Sequence, residues 1–313
     1  MKRIHVAAAV IRGGDGRILI ARRPDDKHQG GLWEFPGGKV EADESVEQAL
    51  ARELDEELGI RPSAARPLLQ VRHDYPDKQV LLDVWDVSAF TGEPHGAEGQ
   101  PLAWVAPEKL GDYQFPAANR PIVAAARLPE RYLITPNDLD SLALLDGIQT
   151  ALGRGVRLIQ LRAPQLSPEQ YRALAVDVLG LCAGRAQLML KGPLEWLEDF
   201  PAAGWHLTAQ QLHELALGGR PLAAERWLAA SCHSLEELAV ATQLDVDFVT
   251  LSPIRPTLSH PDALPLGWAR VAELIQGINL PVYLLGGMRP GDISQAWQAG
   301  AQGVAGIRGL WPA

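Results

Sequence analysis

Several things are scarce in this chain, and each scarcity excludes something. Among 313 residues there are two cysteines, Cys182 and Cys232. The first falls in an apolar helical stretch and the second at a strand end. They make neither a disulfide framework nor a zinc site, so a reducing cytoplasm is expected. Long apolar runs are missing too. The N-terminal MKRIHVAAAVIRGG has a six-residue apolar run before Arg12, too short for a signal-peptide core or a membrane span, and it reads as a strand. Positive charge is in deficit, with a net charge of −9. That argues against tight binding to nucleic acid, which needs a basic surface, but allows a nucleotide substrate whose phosphates a metal neutralises. A content of 47% hydrophobic and 21% charged residues is globular, not disordered. The length suggests two domains, and the oligomeric state is left open.

What is present is concentrated in residues 38–60, GKVEADESVEQALARELDEELGI. Ser45 and Gln48 form a candidate capping box for a helix. Val46, Leu50, Leu54 and Leu58 recur every four residues and give that helix one apolar stripe. Glu53, Glu56 and Glu57 stand at i, i+3 and i+4, which puts three carboxylates on a different face. Gly59 ends the helix. Three like charges on one face repel unless a cation lies among them, and hard oxygen ligands suit Mg2+ or Mn2+. The spacing G-x5-E-x7-R-E-L-x-E-E-x-G-I resembles the Nudix box, the signature of hydrolases that cut a nucleoside diphosphate linked to another group.

Around that helix the first half alternates strands and turns. Residues 3–12 and 17–22 flank Gly13-Gly14-Asp15-Gly16, and residues 68–75 and 79–90 flank Pro76-Asp77. Both read as hairpins, with a last helix over 118–127. The pattern predicts an α+β fold with a mixed sheet. Near residue 130 the grammar changes. Short strands at about 131–135, 156–161, 186–190, 203–207, 226–231, 247–251, 281–285 and 302–306 alternate with helices such as 167–184, 234–244, 266–276 and 290–299. Eight β/α repeats predict a compact TIM-type barrel, with a doubly wound open sheet as the alternative. The expected domains are 1–129 and 130–313.

The N-terminal resemblance extends past the box to the MutT branch of Nudix hydrolases, which remove 8-oxo-dGTP from the nucleotide pool. It is carried by Ala21-Arg22-Arg23, Glu34 through Lys39, Gly92-Glu93-Pro94 to Glu98-Gly99-Gln100-Pro101, and Phe115 through Asn119. The resemblance implies hydrolysis of a nucleoside triphosphate to a monophosphate and pyrophosphate. It implies a metal held by Glu53, Glu56, Glu57 and Glu98 with Gly37. Glu53 or Glu98 would be the general base, and Glu44 a weaker candidate. Arg52 would orient the carboxylates. Lys39 and Gly38 would face phosphate, Arg23 and His28 the nucleotide, and Phe35 the base. Asn119 would read the oxidised guanine, since one amide both donates and accepts. By residue type alone, Asn119 reads as a helix cap before Arg120-Pro121, Arg23 as a surface arginine, Glu98 as a solvated loop acid, and His28 and His73 as structural or surface residues.

The second half resembles the thiamine-phosphate synthase and thiazole tautomerase family through Tyr132 to Thr135, Gln160-Leu161-Arg162, Gly204 to Leu207, Ser231 to Ser234, Leu251 to Ile254, and Leu285 to Met288. The resemblance implies a ligand site at the C-terminal strand ends, with Arg162, a phosphate cradle from Thr257, Ser259, Gly286, Gly287 and Gly306, and His233 as acid/base. The sequence departs from the synthase pattern at two metal-binding positions. Lys191-Gly192-Pro193 stands for Asn-Asp-Arg, and Thr208-Ala209-Gln210-Gln211 lacks an aspartate. A lysine expected after the Leu-Arg pair is replaced by Ala163-Pro164. Without the metal a pyrophosphate leaving group is poorly stabilised. The expectation is therefore an 8-oxo-dGTP diphosphatase whose barrel lacks thiamine-phosphate synthesis. The alternatives are a Nudix hydrolase for a thiamine-related pyrophosphate, or a barrel serving as tautomerase or phospho-ligand sensor.

Overall fold

In the computed structural model, residues 2–26, 29–76, 78–257 and 263–312 are described. His28 and Ser259 lie outside them. The chain divides into two compact units. One holds the chain up to Arg127 together with Gln276–Asn279; the other holds Leu128–Ile275 and the chain from Leu280 on. Among the described residues no helix is long and apolar enough to cross a membrane.

The first unit runs β1 (Lys2–Arg12), β2 (Ile18–Arg22), β3 (Trp33–Glu34), β4 (Gly37–Lys39), α1 (Val46–Leu58), β5 (Arg61–Asp74), β6 (Lys78–Thr91), β7 (Leu102–Val105) and α2 (Arg120–Arg127). The sheet order is β3-β2-β1-β6-β5, with β4 also on β1 and β7 on β2. It is mixed: β1 and β6 are parallel and the other pairings antiparallel. Strand β1 is apolar without alternation because both its faces are covered. Ala8 and Val10 pack with Ile122 and Ala125 of α2. Ala7, Ala9 and Ile11 pack with Leu50, Leu54 and Leu58 of α1. One helix therefore seals each face, and α1 exposes its acidic side away from its leucines.

Strand β5 begins at Arg61, well before residue 68 where the sequence pattern places it. Pro62 and Pro67 disguise it. It is the sheet's edge strand, and its pairing with β6 shifts register beside both prolines, where a missing N–H costs little.

The second unit runs β8 (Arg131–Ile134), α3 (Ser141–Gly153), β9 (Leu158–Leu161), α4 (Pro168–Cys182), β10 (Gln187–Leu190), β11 (Gly204–Leu207), α5 (Ala209–Leu215), β12 (Leu228–Cys232), α6 (Leu235–Gln243), β13 (Phe248–Leu251), α7 (Gly267–Ile275), β14 (Val282–Leu284), α8 (Ile293–Gln298) and β15 (Gly303–Gly306). The eight strands are parallel and close into a barrel, β15 pairing back to β8. Closure excludes the open-sheet alternative. Tyr132, Met189, Phe248 and Tyr283 fill the lumen, so the interior is packed side chains rather than a pore.

Candidate active site

Helix α1 positions the acidic cluster. Ser45 caps it: its hydroxyl accepts from the Gln48 N–H, and the Gln48 side chain accepts from the Ser45 N–H. At the other end Gly59 adopts φ 67°, a left-handed conformation that favours glycine. The loop that follows β6 then satisfies the last helical carbonyls. Ala97 N–H and Gln100 Nε2 both donate to the Glu57 carbonyl at 3.0 Å, and His95 N–H donates to that of Leu58 at 3.1 Å. This staple brings Glu98 to the acidic face of α1. The Glu98 N–H donates to the Gln100 side chain at 2.9 Å.

Two glycines before α1 are needed for close approach. Gly37 adopts φ 141°, and a Cβ there would lie 2.1 Å from the Ala7 carbonyl oxygen. Its N–H donates to Glu57 Oε2 at 3.3 Å. A Cβ on Gly38 would lie 2.1 Å from Cδ of Glu53. The Glu53 carboxylate thus rests directly on the backbone of β4.

Glu57 is where the charges meet. Burial pushes its carboxyl up to about 7, the nearby carboxylates Glu53, Glu34 and Glu98 push the same way, and the Gly37 N–H opposes them. Arg52 partly neutralises the other acids. It donates to Glu44 at 2.9 and 3.0 Å, to Glu53 at 2.9 Å and to Glu56 at 3.2 Å. Glu44 is held below the usual carboxylate range by Arg52, so it serves as the guanidinium's anchor and is a weak base. Among the described residues no three acids, histidines or cysteines already stand in a metal-holding arrangement. The donor set nonetheless suits a hard cation: carboxylate oxygens converge on Glu57, and their repulsion is relieved by positive charge.

Glu34 belongs to this cluster, and residue spacing gave no sign of it. Its strand, β3, is two residues long, too short for any period. Burial raises its carboxyl, and the ion pair with Arg23 opposes that rise. Arg23 thus lies beside the acids, tied to Glu34. Phe35 is buried in the core and stacks on Phe115 with centroids 5.3 Å apart. Phe115 lies just before the short 3-10 helix Ala117–Asn119, so that contact ties the chain leading into it to Phe35. The Asn119 backbone N–H donates to the Pro116 carbonyl at 2.9 Å, closing that 3-10 turn immediately before α2. Lys39 is exposed, and its carbonyl accepts from Arg52 at 3.0 Å.

At the C-terminal ends of the barrel strands a polar chain replaces the apolar lumen. Gln160 Nε2 donates to the Tyr132 hydroxyl at 2.8 Å, which lies 3.0 Å from His206 Nδ1. His206 Nε2 lies 3.0 Å from Ser231 Oγ, and Lys191 Nζ donates to that same hydroxyl at 2.9 Å. Arg162 is fixed through its backbone, its N–H donating to the Thr135 hydroxyl at 2.8 Å. His233 is exposed, with Nδ1 2.8 Å from the Ser252 carbonyl; at the start of α6 its backbone N–H donates to the Glu237 carboxylate, and the Ser234 hydroxyl accepts from the Glu237 N–H. The Gly286-Gly287 turn adopts φ 107° and 70° and abuts residues 253–256, so that side chains there would collide. Thr257 continues that segment. Gly306 ends β15, where a Cβ would meet the Leu310 side chain at 2.9 Å.

Comparison with known proteins decides the families. The NUDIX domain matches residues 7–125, and thiamine monophosphate synthase matches residues 131–310. The 8-oxo-dGTP diphosphatase of Escherichia coli (strain K12) is 41% identical over 124 residues, covering 40% of this chain and 96% of that protein. The chain belongs to both families. Its N-terminal half is a Nudix diphosphatase, a class that generally uses a divalent ion such as Mg2+. The CTP pyrophosphohydrolase of the same organism is 43% identical over 125 residues, covering 40% of this chain and 92% of that protein. For the second half, the protein named "Putative thiamine-phosphate synthase 2" of Aquifex aeolicus (strain VF5) is 33% identical over 181 residues, covering 58% of this chain and 96% of that protein.

Proposed function

We propose that residues 1–129 of this Nudix protein hydrolyse 8-oxo-dGTP to 8-oxo-dGMP and pyrophosphate in the cytoplasm. Residues 130–313 form a separate barrel domain without thiamine-phosphate synthesis. The observation that carries the first reading is the acidic face of α1, with Glu57 beside the Gly37 N–H, Glu53 against Gly38, and Glu53, Glu34 and Glu98 near enough to raise the Glu57 carboxyl. A bound Mg2+ or Mn2+ would draw charge from the phosphates and lower the pKa of a water. Glu53, Glu56, Glu57 and Glu98 would hold it, beside Gly37. Glu53 or Glu98 takes the proton of the attacking water. Arg52 keeps Glu53 and Glu56 in place, anchored by Glu44. Lys39 and the Gly38 backbone lie at the phosphate end. Arg23 and Asn119 lie at the nucleoside end, with Phe35 packed behind.

The guanine reading is supported by an amide at Asn119, able both to donate and to accept, and by the 8-oxo-dGTP diphosphatase relative. The CTP pyrophosphohydrolase relative makes CTP the competitor to test. Purified full-length protein with Mg2+ is offered 8-oxo-dGTP, dGTP, CTP and thiamine pyrophosphate. 8-oxo-dGTP should be cut far faster than the rest. Equal rates on dGTP, or preference for CTP or thiamine pyrophosphate, would sink the reading. Asn119→Ala should lose about 1–3 kcal/mol of discrimination between 8-oxo-dGTP and dGTP, the cost of leaving a buried polar edge unpaired.

The barrel reading rests on the residues at two strand ends. Lys191 follows β10 and Thr208-Ala209 follow β11, so carboxylates are lacking where pyrophosphate release would need a cation.

A further inference from the structure

Lys191 is the least explained ionisable group in the barrel. It follows β10 directly, is half-buried, and its only side-chain hydrogen bond among the described residues goes to Ser231 Oγ at 2.9 Å. No carboxylate among the described residues pairs with it, and the charge nearest in effect is another cation, Arg162. An ammonium held largely out of water for stability alone would be paired. The partner it does have is a hydroxyl, itself 3.0 Å from a buried imidazole. That imidazole is neutral: burial holds His206 well below its ordinary value, with Lys191 adding to the effect.

We propose that Lys191 is an imine-forming amine that condenses with a small carbonyl compound, preferably an anionic one such as a 2-keto acid. The amine lone pair of Lys191 attacks the carbonyl carbon and gives a carbinolamine. Ser231 Oγ, held between Nζ and His206, passes protons from nitrogen to the former carbonyl oxygen. That oxygen leaves as water, and the C=N bond replaces C=O; two N–H protons and one oxygen depart, so the step balances without a redox partner. The uncharged amine needed for attack is available. Burial lowers Lys191 from 10.5 to about 8, and Arg162 contributes in the same direction. The Arg162 cation also favours an anionic substituent on the carbonyl compound. Lysines activated in this way, by desolvation and a neighbouring cation, are established imine nucleophiles in other sites.

The test uses the full-length protein with pyruvate and cyanoborohydride near pH 8, followed by peptide mapping. At that pH the neutral fraction of Lys191 exceeds that of an ordinary lysine by about a hundredfold. The reduced adduct should therefore appear at Lys191 at least about tenfold above each of the chain's other five lysines. Lys191→Arg keeps the charge and should abolish that adduct while nucleotide hydrolysis stays unchanged. Ser231→Ala should slow adduct formation about tenfold without moving its site. An adduct spread evenly over the lysines, or a wild-type map with Lys191 unmodified, overturns the proposal even if a variant fails to fold.

Discussion

A single methyl group at residue 38 tests the acidic site. Gly38 does not have a positive φ, so alanine costs little in the local backbone. Its Cβ would, however, lie 2.1 Å from Cδ of Glu53 and 2.2 and 2.3 Å from its two oxygens. A tolerable contact begins near 3.0 Å, so the carboxylate must withdraw by about 0.9 Å. Glu53 is a side chain with free torsions, and the fold can absorb that shift. The chemistry should not: a misplacement of about 1 Å costs on the order of a hundredfold in rate. Gly38→Ala should therefore lower kcat for Mg2+-dependent pyrophosphate release about a hundredfold. The Tm, followed by calorimetry, should change by no more than a few degrees. Activity within twofold of wild type, in a protein with unchanged Tm, would refute the idea that Glu53 works from this spot.

Gly37→Ala should behave oppositely, because its φ of 141° and the Ala7 carbonyl at 2.1 Å leave the backbone no escape; a loss of about 2 kcal/mol or more in denaturant unfolding is expected. Ser45→Ala removes a capping box and should cost about 1 kcal/mol by the same measurement, with hydrolysis retained at temperatures where the protein is folded. The barrel should lose stability in mild acid through His206. Its folded pKa lies well below the unfolded value of 6.5, so the unfolded chain takes up a proton first as pH falls below 6.5. At pH 5.5 this amounts to at most about 1.4 kcal/mol, and His206→Gln should flatten the slope of barrel unfolding between pH 7.5 and 5.5.

Much of the architecture is legible in local pattern. The helix α1 declares itself by its cap, its leucine stripe and its terminal glycine, because each acts within a few residues. The barrel strands are equally plain, since a parallel strand buried on both faces is a short continuous apolar run. Strands β3, β4 and β7 are two to four residues long and carry no period, so they escape notice. The first half of strand β5 is hidden by prolines that only an edge position tolerates.

The site divides along the same line. Glu53, Glu56 and Glu57 are fixed as neighbours by helical spacing alone, and sequence suffices to propose a cation there. Sequence also shows that the positions after β10 and β11 lack carboxylates. Only the tertiary structure draws Glu34 toward Glu57, supplies the loop staple that carries Glu98 there, lays Glu53 on Gly38, commits Arg52 to Glu44, and sets Lys191 against Ser231 and His206. The physical reason is range. Helix geometry relates residues three or four apart, whereas these meetings depend on strand pairing, loop staples and barrel closure across tens of residues, which no local pattern encodes.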